Sequence, residues 1–161
     1  MDYLGRYATP IGVITVRATS YAVTGVSLSD RGETESPSPL TDRAAEQICE
    51  YLDGSRRVFD VPVFADGTPF QMKIWEQAGE IPYGSTLSYT DAARAAHRPD
   101  AVRATAAACR ANPCMILIPT HRIVSKNGGQ TADADGTLTL AQTLLALERK
   151  ATENETGKHG S

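Results

Sequence analysis

The sequence has few cysteines and no long hydrophobic run. Its three cysteines are an odd number and show no CxxC spacing. This argues against a disulfide framework or a metal site, and it fits a reducing cytosol. No apolar run is long enough for a membrane span, and the N-terminus lacks the basic-then-apolar pattern of a secretory signal. We therefore expect a cytoplasmic protein that makes no membrane contact.

The chain also has little net charge. The formal net charge is −3, and 41% of the 161 residues are hydrophobic. The overall charge gives no case for a nucleic-acid partner, but residues 82–124 hold five arginines against two aspartates, a local charge of +3. This segment is either ordinary surface scatter or a small patch that faces phosphate groups.

The first part of the chain predicts a small α/β domain over residues 1–65. Residues 11–18 and 21–29 are rich in β-branched side chains and predict a hairpin. Residues 40–53 have the apolar periodicity of a helix. Residues 58–64 alternate and contain Pro62, which predicts an edge strand.

A mostly helical domain is predicted over residues 66–150. Thr68 and Gln71 form a capping box for a helix that ends near Gly79. Ser88 and Asp100 are predicted caps of two further short helices, which together are a helix-turn-helix candidate. An amphipathic helix over residues 138–150 follows, and the polar tail of residues 151–161 is expected to be disordered.

The segment ILIPTHRIV, residues 116–124, combines an apolar run with three polar side chains. The run closed by Pro119 predicts a buried strand or extended segment. Thr120, His121 and Arg122 would then lie at the mouth of a core, where reactive groups are usually held. A buried histidine that bonds to a backbone carbonyl is an equally good interpretation.

Five segments together resemble one family. They occur in this order: GTPFQMKIW (67–75), IPYGSTLSY (81–89), AVRATAAACRANP (101–113), ILIPTHRIV (116–124) and LLALE (144–148). The chain thereby resembles the alkylguanine-DNA alkyltransferases. The resemblance implies an α/β fold with a ribonuclease-H-like sheet-and-helix domain, followed by a winged helix-turn-helix-like domain. It also implies a monomer without a cofactor that binds double-stranded DNA and flips out an alkylated guanine.

The resemblance also implies roles for individual residues in DNA contact. Arg103 would fill the space left by the flipped base. Tyr89 would contact the nucleotide and help to protonate the guanine leaving group. Arg110 and Arg122 are further expected DNA contacts.

A second set of implied roles concerns the chemistry. Asn112 would support the turn of the active site. His121 would accept the proton of the nucleophile through a water molecule, and Glu148 would orient His121. At the nucleophile, however, the family has Pro-Cys-His-Arg, whereas this chain has Thr120 in place of the cysteine.

The threonine changes the expected chemistry. A thiol with a pKa near 8.5 is readily ionised by a neighbouring histidine. An aliphatic alcohol is much harder to ionise, and its oxygen is a poorer nucleophile toward an alkyl carbon. We therefore predict no alkyl transfer to this position. The segment TADADG, residues 131–136, carries two further carboxylates that would repel phosphate groups.

Three functions remain open from the sequence. The first is an alkyltransferase-like protein that holds an alkylated guanine and passes the lesion to another pathway, with a nucleotide-excision repair protein as partner. The second is an enzyme for a small molecule that uses Thr120, His121 and Glu148 as a hydroxyl, a base and an acid. The third is an alkyltransferase inactivated by the replacement of its cysteine.

Overall fold

The computed structural model describes residues 2–28, 32–125 and 137–159, and for residues 137–139 and 155–159 it describes the main chain only. The chain divides into two compact units. The first unit holds residues 1–67 and 112–118, and the second holds residues 68–111 and 119–161. The segment 112–118 thus belongs with the N-terminal part of the chain, although the sequence placed it in the helical domain.

The first unit is built on an antiparallel sheet. Its strands β1 (Tyr3–Thr9), β2 (Gly12–Ala18) and β3 (Val23–Ser27) are hydrogen-bonded in the order β1-β2-β3. The predicted hairpin is confirmed as β2 and β3, whereas β1 was not predicted. Helix α1 (Pro39–Leu52) packs on the sheet, and its N-terminus is closed by a capping box of Ser38 with Thr41. The core includes these fully buried side chains: Ile14, Val16, Val23, Ile48 and Tyr51.

The predicted edge strand at residues 58–64 is wrong. This segment makes a single bridge to β3, in which the Val23 N–H donates to Pro62 O and the Phe64 N–H donates to Val23 O. Proline has no N–H, so a longer ladder cannot form through Pro62. The segment 112–118 also contributes to this unit, because the Val26 N–H donates to Pro113 O at 2.8 Å.

The second unit is mostly helical. Helix α2 (Pro69–Glu80) and helix α3 (Tyr89–Ala95) both pack against helix α4 (Val102–Arg110). A short strand β4 (Leu87–Ser88) pairs in parallel with β5 (Ile123–Val124). A 3-10 helix (Thr120–Arg122) precedes β5, and the last helix is α5 (Thr137–His159). Fully buried side chains of this core include Ile74, Ala78, Ala92, Ala93 and Ile123.

Three local predictions in this region need correction. Asp100 does not cap α4, which begins at Val102 with Ala101 as a cap residue that makes no side-chain hydrogen bond. Residues 116–118 are not a strand, because Ile116 has a φ of 72° and the Leu117 N–H turns back to Met115 O. Residues 151–159 continue α5 instead of forming a disordered tail. The run from Ala151 contains no proline to end the helix.

The predicted mixed α/β class is confirmed by these elements. The capping box of α2 is confirmed too, since the Thr68 and Gln71 side chains each accept from the other residue's N–H. Among the described residues, no helix combines the length and apolarity needed to cross a membrane.

Candidate functional site

The second unit buries a carboxylate that accepts hydrogen bonds from several directions. Glu148, on α5, has 1% of its surface exposed. Its Oε2 lies 2.7 Å from His121 Nε2, and its Oε1 accepts from Arg122 Nε at 3.0 Å. The main-chain N–H of Gly84 also donates to Oε1, at 2.9 Å. The acidic group is therefore satisfied without water, as a buried charge requires.

Arg122 is the counter-ion of this carboxylate. Its guanidinium also donates from Nη1 to Ile81 O at 2.8 Å and lies 5.6 Å from the centre of the Tyr83 ring. Arg122 is 6% exposed. Arg122 is thus a buried partner of Glu148, with donors directed at groups inside the unit. The expected DNA contact of Arg122 stays a prediction.

His121 lies next to this ion pair in the 3-10 helix. Burial lowers its pKa below the ordinary value; Glu148 opposes this shift, and the positive charge of Arg122 adds to it. The imidazole is thus neutral at neutral pH. Because a carboxylate can only accept, Nε2 carries the proton toward Glu148, and Nδ1 is left as an acceptor. A neutral imidazole oriented by a carboxylate has the form of a general base.

Thr120 begins the 3-10 helix directly before His121 and is partly exposed. The three cysteine thiols are the other candidate nucleophiles. Burial raises the pKa of Cys109 and of Cys114 to about 12, and burial with the nearby Asp53 charge raises that of Cys49. Each thiol is therefore protonated at neutral pH, the less reactive state. Cys49 and Cys114 moreover belong to the first unit.

The candidate DNA contacts lie on two helices. Arg103 and Arg110 are exposed on α4, and Tyr89 is the partly exposed first residue of α3. Trp75 of α2 is buried, and its Nε1 donates to Ala108 O at 2.8 Å. Ala108 is in the last turn of α4, where carbonyls lack helical partners. Trp75 thereby fixes the helix that carries the two arginines.

Asn112 belongs to the first unit and supports a turn there. Its Nδ2 donates to Ile118 O at 2.8 Å, and its Oδ1 accepts from the Cys114 N–H at 2.9 Å. The residue closes the segment that leads directly into Pro119. The predicted role of Asn112 in supporting the turn of the active site stays a prediction.

Sequence reasoning missed the contribution to the site of the segment IPYG, residues 81–84, which we call the IPYG turn. Ile81, Tyr83 and Gly84 each contact Arg122 or Glu148, yet none of the three was predicted as a site residue. The Pro-Tyr-Gly pattern was visible, but nothing local indicates what the turn faces. The segment TADADG, residues 131–136, lies outside the described residues. Among the described residues, no three metal-ligating side chains form a group that could hold an ion.

Comparison with known proteins shows the family and the fold of the chain. A family model described as 6-O-methylguanine DNA methyltransferase, DNA binding domain, matches residues 69–150. The chain belongs to this family. The match contains α2, α3 and α4. It also contains the residues whose contacts build the buried site: Ile81, Tyr83, Gly84, His121, Arg122 and Glu148.

Relatives in the methyltransferase family also cover the first unit. The constitutive methylated-DNA–protein-cysteine methyltransferase of Bacillus subtilis is 35% identical over 159 residues, covering 92% of this chain and 96% of the relative. The inducible enzyme of B. subtilis is 46% identical over 107 residues, which are 66% of this chain and 59% of the relative.

Solved structures show the same fold. The O6-methylguanine methyltransferase of Mycobacterium tuberculosis superposes with a TM-score of 0.84 at 29% identity, covering 94% of each chain. A structure of the M. tuberculosis protein in complex with DNA superposes with a TM-score of 0.81 at 30% identity, covering 91% of this chain and 92% of the other. The fold of the methyltransferase family therefore extends over both units.

Proposed function

We propose that this member of the methyltransferase family binds double-stranded DNA and holds an O-alkylated guanine without accepting its alkyl group. The observation that carries the proposal is Thr120 beside the buried pair of His121 and Glu148. The base and its orienting carboxylate are present, whereas the group they would activate is an alcohol. A neutral imidazole is too weak a base to generate an appreciable amount of alkoxide.

DNA binding is supported by the family and by the surface of α4. The matched family model describes a DNA-binding domain, and the M. tuberculosis relative has been solved in complex with DNA. Arg103 and Arg110 are exposed on one helix, α4, to which Trp75 is hydrogen-bonded through Ala108 O. Helices α3 and α4 would form the helix-turn-helix, with Arg103 replacing the flipped base and Tyr89 contacting the nucleotide.

A lesion that is held but not repaired requires a second activity. We propose that the bound complex of the monomer is passed to a nucleotide-excision repair protein. The chemical basis is that binding without transfer leaves both the alkylated base and the protein unchanged.

The test measures DNA affinity and alkyl transfer with the same samples. Duplexes that contain O6-methylguanine or guanine are titrated at two salt concentrations, and the protein is then weighed by mass spectrometry. We expect tighter binding to the lesion, affinity that falls with salt, and no added methyl group. Equal affinity for both duplexes would overturn lesion recognition, and a methyl group on the protein would overturn binding without transfer.

A matched pair of variants locates the DNA surface. Arg103→Ala should weaken lesion binding by about tenfold. Arg43→Ala removes the same charge from an exposed position on α1 and should leave the affinity within about twofold. An equal loss in both variants would show that overall charge, rather than α4, determines the binding.

A second candidate function is an enzyme that acts on a small molecule. The 2.7 Å contact between His121 and Glu148, next to a hydroxyl group, favours it. In that case DNA binding would be weak at both salt concentrations, and Thr120→Ala would abolish the reaction.

A further inference from the structure

The IPYG turn and the C-terminal part of α5 meet at Glu148. The Ser85 N–H donates to Pro82 O at 3.0 Å, which closes a four-residue turn over residues 82–85. Gly84 is the third residue of that turn. The φ of Gly84 is 83°, a value that favours glycine at this place in a type II turn. In this conformation the Gly84 N–H is directed at Glu148 Oε1.

Thr152 occupies the space beside Gly84. A Cβ added to Gly84 would lie 2.7 Å from Thr152 Oγ1, which is closer than real Cβ atoms approach other heavy atoms. The Thr152 hydroxyl is itself held, because it donates to Glu148 O at 2.8 Å. Gly84, Glu148 and Thr152 therefore form a closed set of contacts. One connection runs through the carboxylate and another through the main chain of α5.

We propose that Gly84 and Thr152 are positioning residues for His121, acting through the Glu148 carboxylate. A main-chain donor in a closed turn has no rotamer to change, so it fixes the plane of the carboxylate more firmly than a long side chain does. The direction of Oε2 in turn fixes the His121 ring. The part of α5 beyond residue 150 is then a component of the site.

The same turn also holds the counter-ion. Ile81 O accepts from Arg122, and the Tyr83 ring faces its guanidinium. A shift of the turn would therefore loosen Glu148 and Arg122 together. These are the charged groups that influence the pKa of His121. Loss of the Gly84 donor makes the carboxylate a stronger acceptor and admits water, and both changes favour a protonated imidazole.

The inference rests on the proposed function only for its consequence in lesion binding, so the first test uses the full chain without DNA. The ring nitrogens of His121 are followed by ¹⁵N NMR during a pH titration of Gly84→Ala. We expect the pKa of His121 to rise toward its ordinary value by about half a unit or more. Thr152→Ala in the same chain should recover part of the shift, since the nearest remaining Thr152 atom, Cβ, is 3.7 Å from the new methyl group.

Gly54→Ala is the matched control. Gly54 also has a positive φ, of 90°, but an added Cβ meets no atom within 4 Å. It should carry the same backbone strain and leave His121 unchanged. If Gly84→Ala does not fold, Thr152→Val takes its place, because it puts a methyl group where the hydroxyl was; a smaller rise is expected. A His121 titration that matches Gly54→Ala in the folded variant would overturn the inference.

Lesion binding by the same samples separates this inference from the proposed function. A shifted His121 in Gly84→Ala, with no lesion binding by the unaltered chain, would leave the positioning role standing and overturn the proposed function. Lesion binding by the unaltered chain, with His121 unmoved in Gly84→Ala, would overturn the positioning role alone.

Discussion

Two ion pairs, one in each compact unit, lie in opposite environments. In the first unit, Arg17 pairs with Glu33 through side chains that are 40% and 44% exposed. In the second, the side chains of Arg122 and Glu148 are 7% and 1% exposed. Exposed pairs contribute little to stability, whereas a buried pair has lost its hydration and depends on each partner. The comparison indicates that the pair at the candidate site depends on both of its partners, whereas the exposed pair contributes little.

The largest expected effect comes from removing one buried charge. Glu148→Gln leaves Arg122 without a counter-ion and should lower the free energy of unfolding by about 3 kcal/mol or more. Glu33→Gln makes the same chemical change in an exposed pair and should cost about 1 kcal/mol or less. Urea unfolding of both variants measures the difference. Equal losses would remove the contrast between the two ion pairs.

One titratable group in each unit should make the free energy of unfolding depend on pH, and the two dependences should have opposite signs. The folded chain holds His121 neutral, so the unfolded chain binds the additional proton. The stabilising contribution is complete above about pH 6.5 and is lost as the pH falls toward the lowered pKa, by at most about 1.4 kcal/mol per pH unit. Urea unfolding between pH 5 and 7.5 should therefore show a steeper acid loss for the unaltered chain than for His121→Asn. Parallel curves would contradict the lowered pKa.

Tyr7 provides the opposite case in the first unit. Burial and a hydrogen bond to Asp42 raise its pKa to about 12. The unfolded chain then loses the phenol proton first. The contribution is complete below about pH 10 and is lost as the pH rises toward 12. The free energy of unfolding of the unaltered chain should therefore exceed that of Tyr7→Phe by a smaller amount as the pH rises from about 10 toward 12. Urea unfolding of both chains over this pH range measures the difference.

The smallest expected effects concern the helix ends. Ser38 accepts the Thr41 N–H at the start of α1, so Ser38→Ala should cost about 1 kcal/mol. Asp100 makes no capping bond at α4, so Asp100→Ala should stay within about 0.5 kcal/mol. Thermal unfolding compares the two variants. A clear loss from Asp100→Ala would show that α4 has a side-chain cap after all.

Helix starts that depend on neighbouring residues were predictable. The capping box of Thr68 and Gln71 closes over three residues, and the structure has it as predicted. Asp100 carried a similar signal but failed, because α4 begins one residue later than that cap requires. The predictions for residues 58–64 and for the tail beyond residue 150 failed for other reasons. The bridge at Pro62 depends on Val23, which is far away in the sequence. Helix α5 continues because no residue there ends it.

The candidate site shows the same division. The resemblance supplied His121 and Glu148 as a pair, and their 2.7 Å contact agrees with that pairing. It assigned Arg122 to DNA and gave no sign that the guanidinium would be buried against Glu148. Gly84 is 64 residues from Glu148 in the chain, and no local pattern in a turn reveals what its N–H will face.

The sequence by itself determined that a hydroxyl group stands at position 120 and where most helices begin, because these properties belong to single residues or to neighbours along the chain. Tertiary structure alone decided that Arg122 pairs with Glu148, that burial lowers the pKa of His121 and that the Gly84 N–H donates to the carboxylate. Burial and charge compensation arise from groups that are distant in sequence, so they exist only once the chain has folded.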